Sequence, residues 1–357
     1  MAKMKTVNRY LVRQIVGGLI LATVVLLPLF GFLDLLDQLD DVGQGAYQVQ
    51  DALVYVLLLL PRRFVQLVPF IALLGNVAAL GRLAIHHELI SLRAAGLSPA
   101  RISMSSFRVG LMLVLVIAVM EQFVAPQLEQ EALLRRSAAL DQSMELGRDL
   151  GIWSRDKQNI LRIGRMEHAG GASDVEIMHL GSDGFLQSYI YAHRADILGT
   201  DRWRLFNVTV KTFTDHGVES QRTGTRIWKP FLDTRQIETL TKPPESLSPV
   251  ELFQQVRFLK ATGQKADAYA LALWSKVGNG LLTLGMMLLS VPFVLGSVRG
   301  GLGGRLVRAG LAGIGVYLLN QIVANAGLLL DLNPALVALI PGTLLLMFAW
   351  LWLRRLA

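Results

Sequence analysis

"HHELISLRAAGLSPARI", residues 86–102, holds two histidines, a glutamate and two arginines between two stretches apolar enough to cross a bilayer. Its reading decides the fold. Ser98 followed by Pro99 is an N-cap with proline at the first helical position, and Gly96 is placed to stop a preceding helix. The spacing therefore predicts a short polar helix over residues 84–95, separate from the span that starts after it. Ile85, Leu89 and Leu92 fall along one side at helical spacing, with Glu88 and Ser91 on the adjoining flank. Two readings of such a helix stand: it docks on a cytoplasmic partner, or it rests on lipid headgroups, where Glu88 facing lipid would be costly.

Working outward, apolar segments of spanning length lie near residues 14–36, 62–82, 102–124, 270–297, 306–329 and 335–353. Six spans put both termini on one side. Arg82, Arg93, Arg101 and Arg108 crowd one candidate inner loop, Arg299, Arg305 and Arg308 another, and Arg354 and Arg355 end the chain, whereas residues 37–51 contain no Lys or Arg. That asymmetry places both termini in the cytoplasm of a multi-pass membrane protein. The first apolar run follows Lys3, Lys5, Arg9 and Arg13 without a cleavage pattern and reads as a retained helix.

The chain is 52% hydrophobic and 17% charged, too apolar for a soluble domain and too polar for membrane helices throughout. The polar share concentrates between the third and fourth spans. There "NILRIGR", "DVEIMHL", "FLQSYIYAH" and "RWRLFNVTVKTF" are strand-like runs separated by the turn signals "HAGGASD", "GSDG", "LGTD" and "TDHG". Strands at that spacing predict a sandwich or barrel outside the cytoplasm, followed by a short helix in "VELFQQVRFLKATG". The expected organisation is helices 1–3 in residues 1–125, with the short inner helix, a β domain and connecting helix in 126–267, and helices 4–6 in 268–357. Cysteine is absent, which excludes disulfides and thiolate metal sites. The net charge of +8 sits largely beside apolar stretches, where topology and anionic lipid account for it better than nucleic acid does. No Ser-His-Asp set or other catalytic constellation is recognisable.

"LGRLAIHHELISLRAAGLSPARI", "GQGAY" at 43–47, "EQFVAPQLEQ" at 121–130 and "LWSKVGNGLLTLGMMLLSVPFVLGSVR" at 273–299 together resemble the LptF/LptG permeases, over essentially the whole chain and in order. "DQLDDVGQGAY" favours the LptG branch. The resemblance implies an inner-membrane ABC-transporter subunit of six transmembrane helices with an inserted periplasmic all-β jellyroll-like domain. The implied function is export of lipopolysaccharide together with an LptF-like permease, two copies of an LptB-like ATPase and an LptC-like bridge. It also implies that the opening stretch is a coupling helix seated on the ATPase, with Glu88, Leu89, Leu92, Arg93 and Gly96 as the coupling set. The residues agree in one respect: no phosphate loop and no Gly-Lys pair occurs, so ATP and its magnesium belong to a partner and no cofactor is expected in this chain.

Candidate substrate contacts carry alternatives. Arg62 and Arg63, after Pro61 at the expected outer end of the second span, either snorkel to phospholipid headgroups or receive phosphates of lipid A. The resemblance favours Arg62 for the second role, together with Arg136, while Leu133 stands where some members have arginine. Asp34, Asp40 and Asp41 stand where some members have lysine, so direct phosphate pairing is not carried over. Asp40 and Asp41 read as a solvated helix end. Asp34, with Asp37 one turn on, either binds phosphate through Mg²⁺ or Ca²⁺ or pairs with an arginine such as Arg62 or with the partner permease. Phe64, Leu67 and Phe70 read as helix packing or as lining for acyl chains, and Gly75 and Gly81 permit close helix approach. A different class remains open: a non-transporting scaffold or mechanotransmission subunit, which would not need the basic set Arg62, Arg63 and Arg136.

Overall fold

A computed structural model describes residues 2–140, 152–155, 158–167, 171–181, 185–197, 202–214, 217–229, 242–296 and 301–356. Its helices are α1 (Ala2–Leu39), α2 (Val49–Ile85), α3 (Glu88–Ala94), α4 (Pro99–Val119), α5 (Ala125–Ala139), α6 (Pro249–Ala261), α7 (Asp267–Leu295), α8 (Leu302–Leu329) and α9 (Pro334–Leu356). Among the described residues, six stretches are long and apolar enough to cross a membrane: Thr6–Leu39, Val49–Ile85, Pro99–Ala139, Asp267–Leu295, Leu302–Leu329 and Pro334–Arg355.

Two boundaries differ from expectation. α2 begins at Val49 and runs through both Pro61 and Pro69, so Arg62 and Arg63 lie inside a helix rather than at its end. The apolar "LVYVLLLL" ahead of Pro61 is ample helix-former, and proline in a spanning helix is tolerated where neighbours satisfy the freed backbone groups. The third span likewise continues past Pro126 through a π-helical turn, Met120–Val124, into α5. The widened turn accommodates the proline's missing N–H.

The chain forms two compact units. The first comprises Met1–Asp41, Ala52–Ala132 and Asp267–Ala357; the second comprises Val42–Asp51 and Leu133–Ala266. In the first, α2 and α7 are the most buried helices and α8 the least. A methyl group on Gly18 would lie 2.8 Å from Ala79 Cβ, and one on Gly75 would lie 2.8 Å from Leu19 Cα, so α1 and α2 touch backbone to backbone. The fully buried Asn76 Nδ2 donates to Ser106 Oγ at 3.0 Å, Met287 O at 3.1 Å and Ser290 Oγ at 2.6 Å, which ties α2, α4 and α7 together.

In the second unit β1 (Ile152–Arg155), β2 (Asn159–Glu167), β3 (Gly171–Leu180), β4 (Leu186–Ile197), β5 (Trp203–Thr214) and β6 (Gly217–Trp228) form one antiparallel sheet in sequence order. Every described strand pairs with its sequence neighbours; the crossover that would make a jellyroll is not among the described residues. One face is apolar, with Leu161, Ile163, Val175, Ile177, Ala192, Leu205 and Val208 buried, and Trp203 lies edge-on to Trp228 at 5.7 Å. The register skips Gly164 opposite Asp174, Asp174 opposite His193, His193 opposite Asn207, and Asn207 opposite Gly224. This row crosses five strands, and Asp174 (φ 56°) and Asn207 (φ 52°) adopt left-handed conformations in it. It slips the inward phase from Ala172 to Val175, from Ala192 to Ala195 and from Leu205 to Val208, creasing the sheet. Arg299 and most of the turn signals between the strands lie outside the described residues.

Candidate substrate and coupling sites

Arg62 belongs to a buried cluster of four charges. Its Nη1 lies 3.3 Å from Glu121 Oε1 and its Nε lies 3.6 Å from Glu129, while Lys276 Nζ pairs with the other oxygen of Glu121. The side chains of Arg62, Glu121 and Lys276 are 13%, 6% and 10% exposed, so the cluster is withdrawn from solvent. The π-helical turn carries Glu121, a feature frequent where a side chain must be re-aimed. Two cations and two carboxylates cancel. A free phosphate receptor is therefore not what Arg62 presents in this state.

Arg63 binds Asp34 side-on: Nε donates to Oδ2 at 2.7 Å and Nη2 to Oδ1, and Nη1 donates to Gln66 Oε1 at 2.9 Å. Asp34 thus pairs with an arginine, one of the arrangements expected for it, and that arginine is Arg63; Arg62, the example given, is held by Glu121 and Glu129 instead. Asp37 is exposed one turn further along α1. Arg136 is half-buried near the end of α5, in the other unit. Phe64 and Leu67 pack into the helix core, and Phe70 meets Tyr317 of α8 with ring centroids 5.7 Å apart. All three thus make packing contacts within this chain, Phe64 and Phe70 while half-buried.

At the opposite end of α2, His87 takes a left-handed conformation (φ 61°) and splits the expected helix, so Ile85 stays with α2 and only Glu88–Ala94 forms α3. α3 closes as the sequence implied. Gly96 (φ 90°) donates to Arg93 O at 2.9 Å and Leu97 N–H to Leu92 O at 3.0 Å, a Schellman end. Leu89 and Leu92 turn into the chain's own core, whereas Ile85 and Ile90 are exposed. The apolar side expected to dock is thus an anchor, and the face left outward bears Glu88, Ile90 and Arg93. Tyr10 of α1 donates to Glu88 Oε2 at 2.6 Å, which holds the carboxylate in place.

On the polar face of the sheet, Asp174 accepts from Tyr191 Oη at 2.7 Å, with Arg165 at 3.4 Å and His193 at 3.6 Å. The Tyr191 hydrogen bond holds the Asp174 carboxyl below its ordinary range, and the same bond raises the Tyr191 phenol.

Glu121, Glu129 and Lys276 escaped the sequence reading as site residues, although their signal was present: an ionisable residue inside a spanning segment needs a partner or a function. Lys276 sits mid-run in "LWSKVGNG", and Glu121 opens "EQFVAPQLEQ".

Among the described residues, six helices long and apolar enough to cross a membrane, with an antiparallel sheet inserted between the third and fourth, define the class as a polytopic membrane protein carrying a β domain. The chain belongs to the family described as "Lipopolysaccharide export system permease LptF/LptG", which matches residues 9–355. It is 30% identical over 98% of each chain to the lipopolysaccharide export system permease protein LptG of Escherichia coli (strain K12). It is 27% identical, with the same coverage, to the protein of that name from Haemophilus influenzae.

Proposed function

We propose that this chain is the permease subunit that extracts lipopolysaccharide from the inner membrane and passes it to its own β unit on the way to the outer membrane. The family match over nearly the whole length, both units included, is the observation that carries this reading. The subunit works with an LptF-like permease, two LptB-like ATPase copies and an LptC-like bridge. ATP hydrolysis is external to the chain, in keeping with its lack of a phosphate loop. The outward Glu88, Ile90 and Arg93 of α3 meet the ATPase in the cytoplasm, and the β unit stands in the periplasm. Arg62, Arg63 and Arg136 serve the lipid phosphates, Arg62 and Arg63 after the carboxylates that hold them yield.

That last condition gives the relay reading, in which the helices only transmit the ATPase state, its one favourable observation: the basic residues after Pro61 are already neutralised within the chain. Photocrosslinking separates the two. In the complex reconstituted with both permeases and the ATPase, a photoreactive residue at Ile177, on the apolar face of the sheet, should acquire lipopolysaccharide only when ATP is supplied. An intact, ATP-hydrolysing complex with no lipid adduct would favour the relay.

A further inference from the structure

We propose that Lys276 is a positioning residue for headgroup capture: by keeping Glu121 neutralised, it lets Arg62 leave that carboxylate for a phosphomonoester on a lipid. The proposal deepens the export reading and rests on it.

Arg62 is the poorly held member of the buried cluster. A single nitrogen, Nη1, reaches both oxygens of Glu121, at 3.3 and 3.4 Å. Its Nε, 3.6 Å from Glu129, is buried without a hydrogen-bond partner among the described residues. The two-nitrogen fork that Arg63 gives to Asp34 is therefore unused in Arg62. That fork fits the oxygens of a phosphate, which carries more charge than a carboxylate.

Lys276, by contrast, bonds directly to Glu121 and stands on a fixed wall. Pro69 has no N–H for the Val65 carbonyl, and Asn279, one turn beyond Lys276 in α7, donates to that carbonyl at 3.2 Å. Gly278 abuts the Ala338 carbonyl of α9, and a methyl group on Gly285 would lie 2.9 Å from Leu345. α7 is thus registered against α2 and α9 around Lys276, and any exchange of partners falls to the Arg62 side chain.

Charge balance gives Lys276 its role. If Arg62 were the sole cation on Glu121, its departure would strand a carboxylate whose side chain is 6% exposed, and that cost would hold it back. Lys276 stays on Glu121 and removes the cost. Glu129, at 16% the more exposed carboxylate, is the less costly one to leave. The two cations also repel each other across Glu121, which loosens the longer contact first. When the lipid departs, Arg62 returns to Glu121. Lys276 touches no lipid in this cycle; it sets how readily Arg62 changes partner.

The test compares binding of two lipopolysaccharide forms, with phosphorylated and with dephosphorylated lipid A, to the full chain assembled with its partner permease and ATPase in nanodiscs. Wild type should prefer the phosphorylated form, and inorganic phosphate at equal concentration should not compete. Lys276→Met should lose about tenfold of that preference, the scale of one charge-assisted contact, with affinity for the dephosphorylated form unchanged. Lys276→Arg should keep the preference. The double variant Lys276→Met/Glu121→Gln, which removes the clamp together with its neutraliser, should regain it, and this variant decides the matter if the single one does not assemble. An unchanged preference in Lys276→Met, or an equal loss for both lipid forms, would overturn the proposal. So would a double variant that stays deficient, since Lys276 would then meet the phosphate itself. Competition by inorganic phosphate would overturn the headgroup assignment alone. Wild-type complex that binds neither form would remove the export reading and this role with it.

Discussion

Lys276 of α7 is ion-paired with Glu121, which the π-helical turn after α4 directs toward it, and through Glu121 it is joined to Arg62 of α2. Charges so withdrawn from solvent are costly unless each is matched by another, and here each is.

Removing one member should therefore cost more than removing two. Lys276→Met leaves Glu121 buried with less compensation and should destabilise the chain by about 3–5 kcal/mol. The double variant Lys276→Met/Glu121→Gln should recover most of that loss. Thermal unfolding of the purified chain reads both, and a double variant no more stable than the single one would contradict the pairing.

The same coupling redirects tests of substrate capture. Arg62→Ala disturbs the cluster as well as any lipid contact, so Arg136→Ala is read beside it. Its crosslinking to lipopolysaccharide should fall with assembly intact. Undiminished yield would assign Arg136 to headgroup anchoring.

Glu88→Ala should uncouple or release the ATPase, since it removes the one carboxylate on the outward face of α3. Tyr10→Phe removes only the 2.6 Å hydrogen bond that holds this carboxylate. It should therefore weaken coupling without abolishing ATPase co-purification. Normal ATP-driven lipid release by Glu88→Ala would refute the coupling role.

Tyr191→Phe should narrow a pH window of stability in the sheet. The Asp174 carboxyl is lowered chiefly by Tyr191, so its contribution is present above the ordinary carboxylate range and is lost as pH falls through the depressed value. Tyr191 is raised, so its contribution is present below the ordinary phenol range and is lost as pH climbs through the raised value. Hydrogen exchange of β3 and β4 amides in the full chain should show the wild-type advantage only between those limits. A pH-independent difference would mean that packing, not the hydrogen bond, is responsible.

The spans were legible because hydropathy acts over twenty residues and is indifferent to detail, and Gly96, Ser98 and Pro99 marked the ends of α3 and α4 through backbone chemistry that is local. The pairing of Asp34 with Arg63 rather than Arg62 was not legible, since it depends on where two helices face each other. Neither was the inward turn of Leu89 and Leu92: periodicity identifies an apolar side but not what covers it. In the sheet, the alternation that marks a strand slips at Asp174 and His193, so the runs read for β3 and β4, strands of 10 and 12 residues, began or stopped at the slip, whereas the run read for β5 passed through Asn207.

That slip is itself testable at Asn207. Its φ of 52° lies in the left-handed region, which asparagine tolerates and a β-branched residue does not. Asn207 is exposed, so replacing it changes little packing and isolates the backbone term. Asn207→Gly should leave the sheet as stable as it is or slightly more so, while Asn207→Val should cost about 1–2 kcal/mol through conformation alone. The loss should be read in β4 and β5 amides, because the crease places Asn207 opposite His193 and is shared by both strands. If valine is tolerated and glycine is not, β5 does not need the left-handed residue. Leu205 and Val208, three apart, would then have no reason to be buried on the same face.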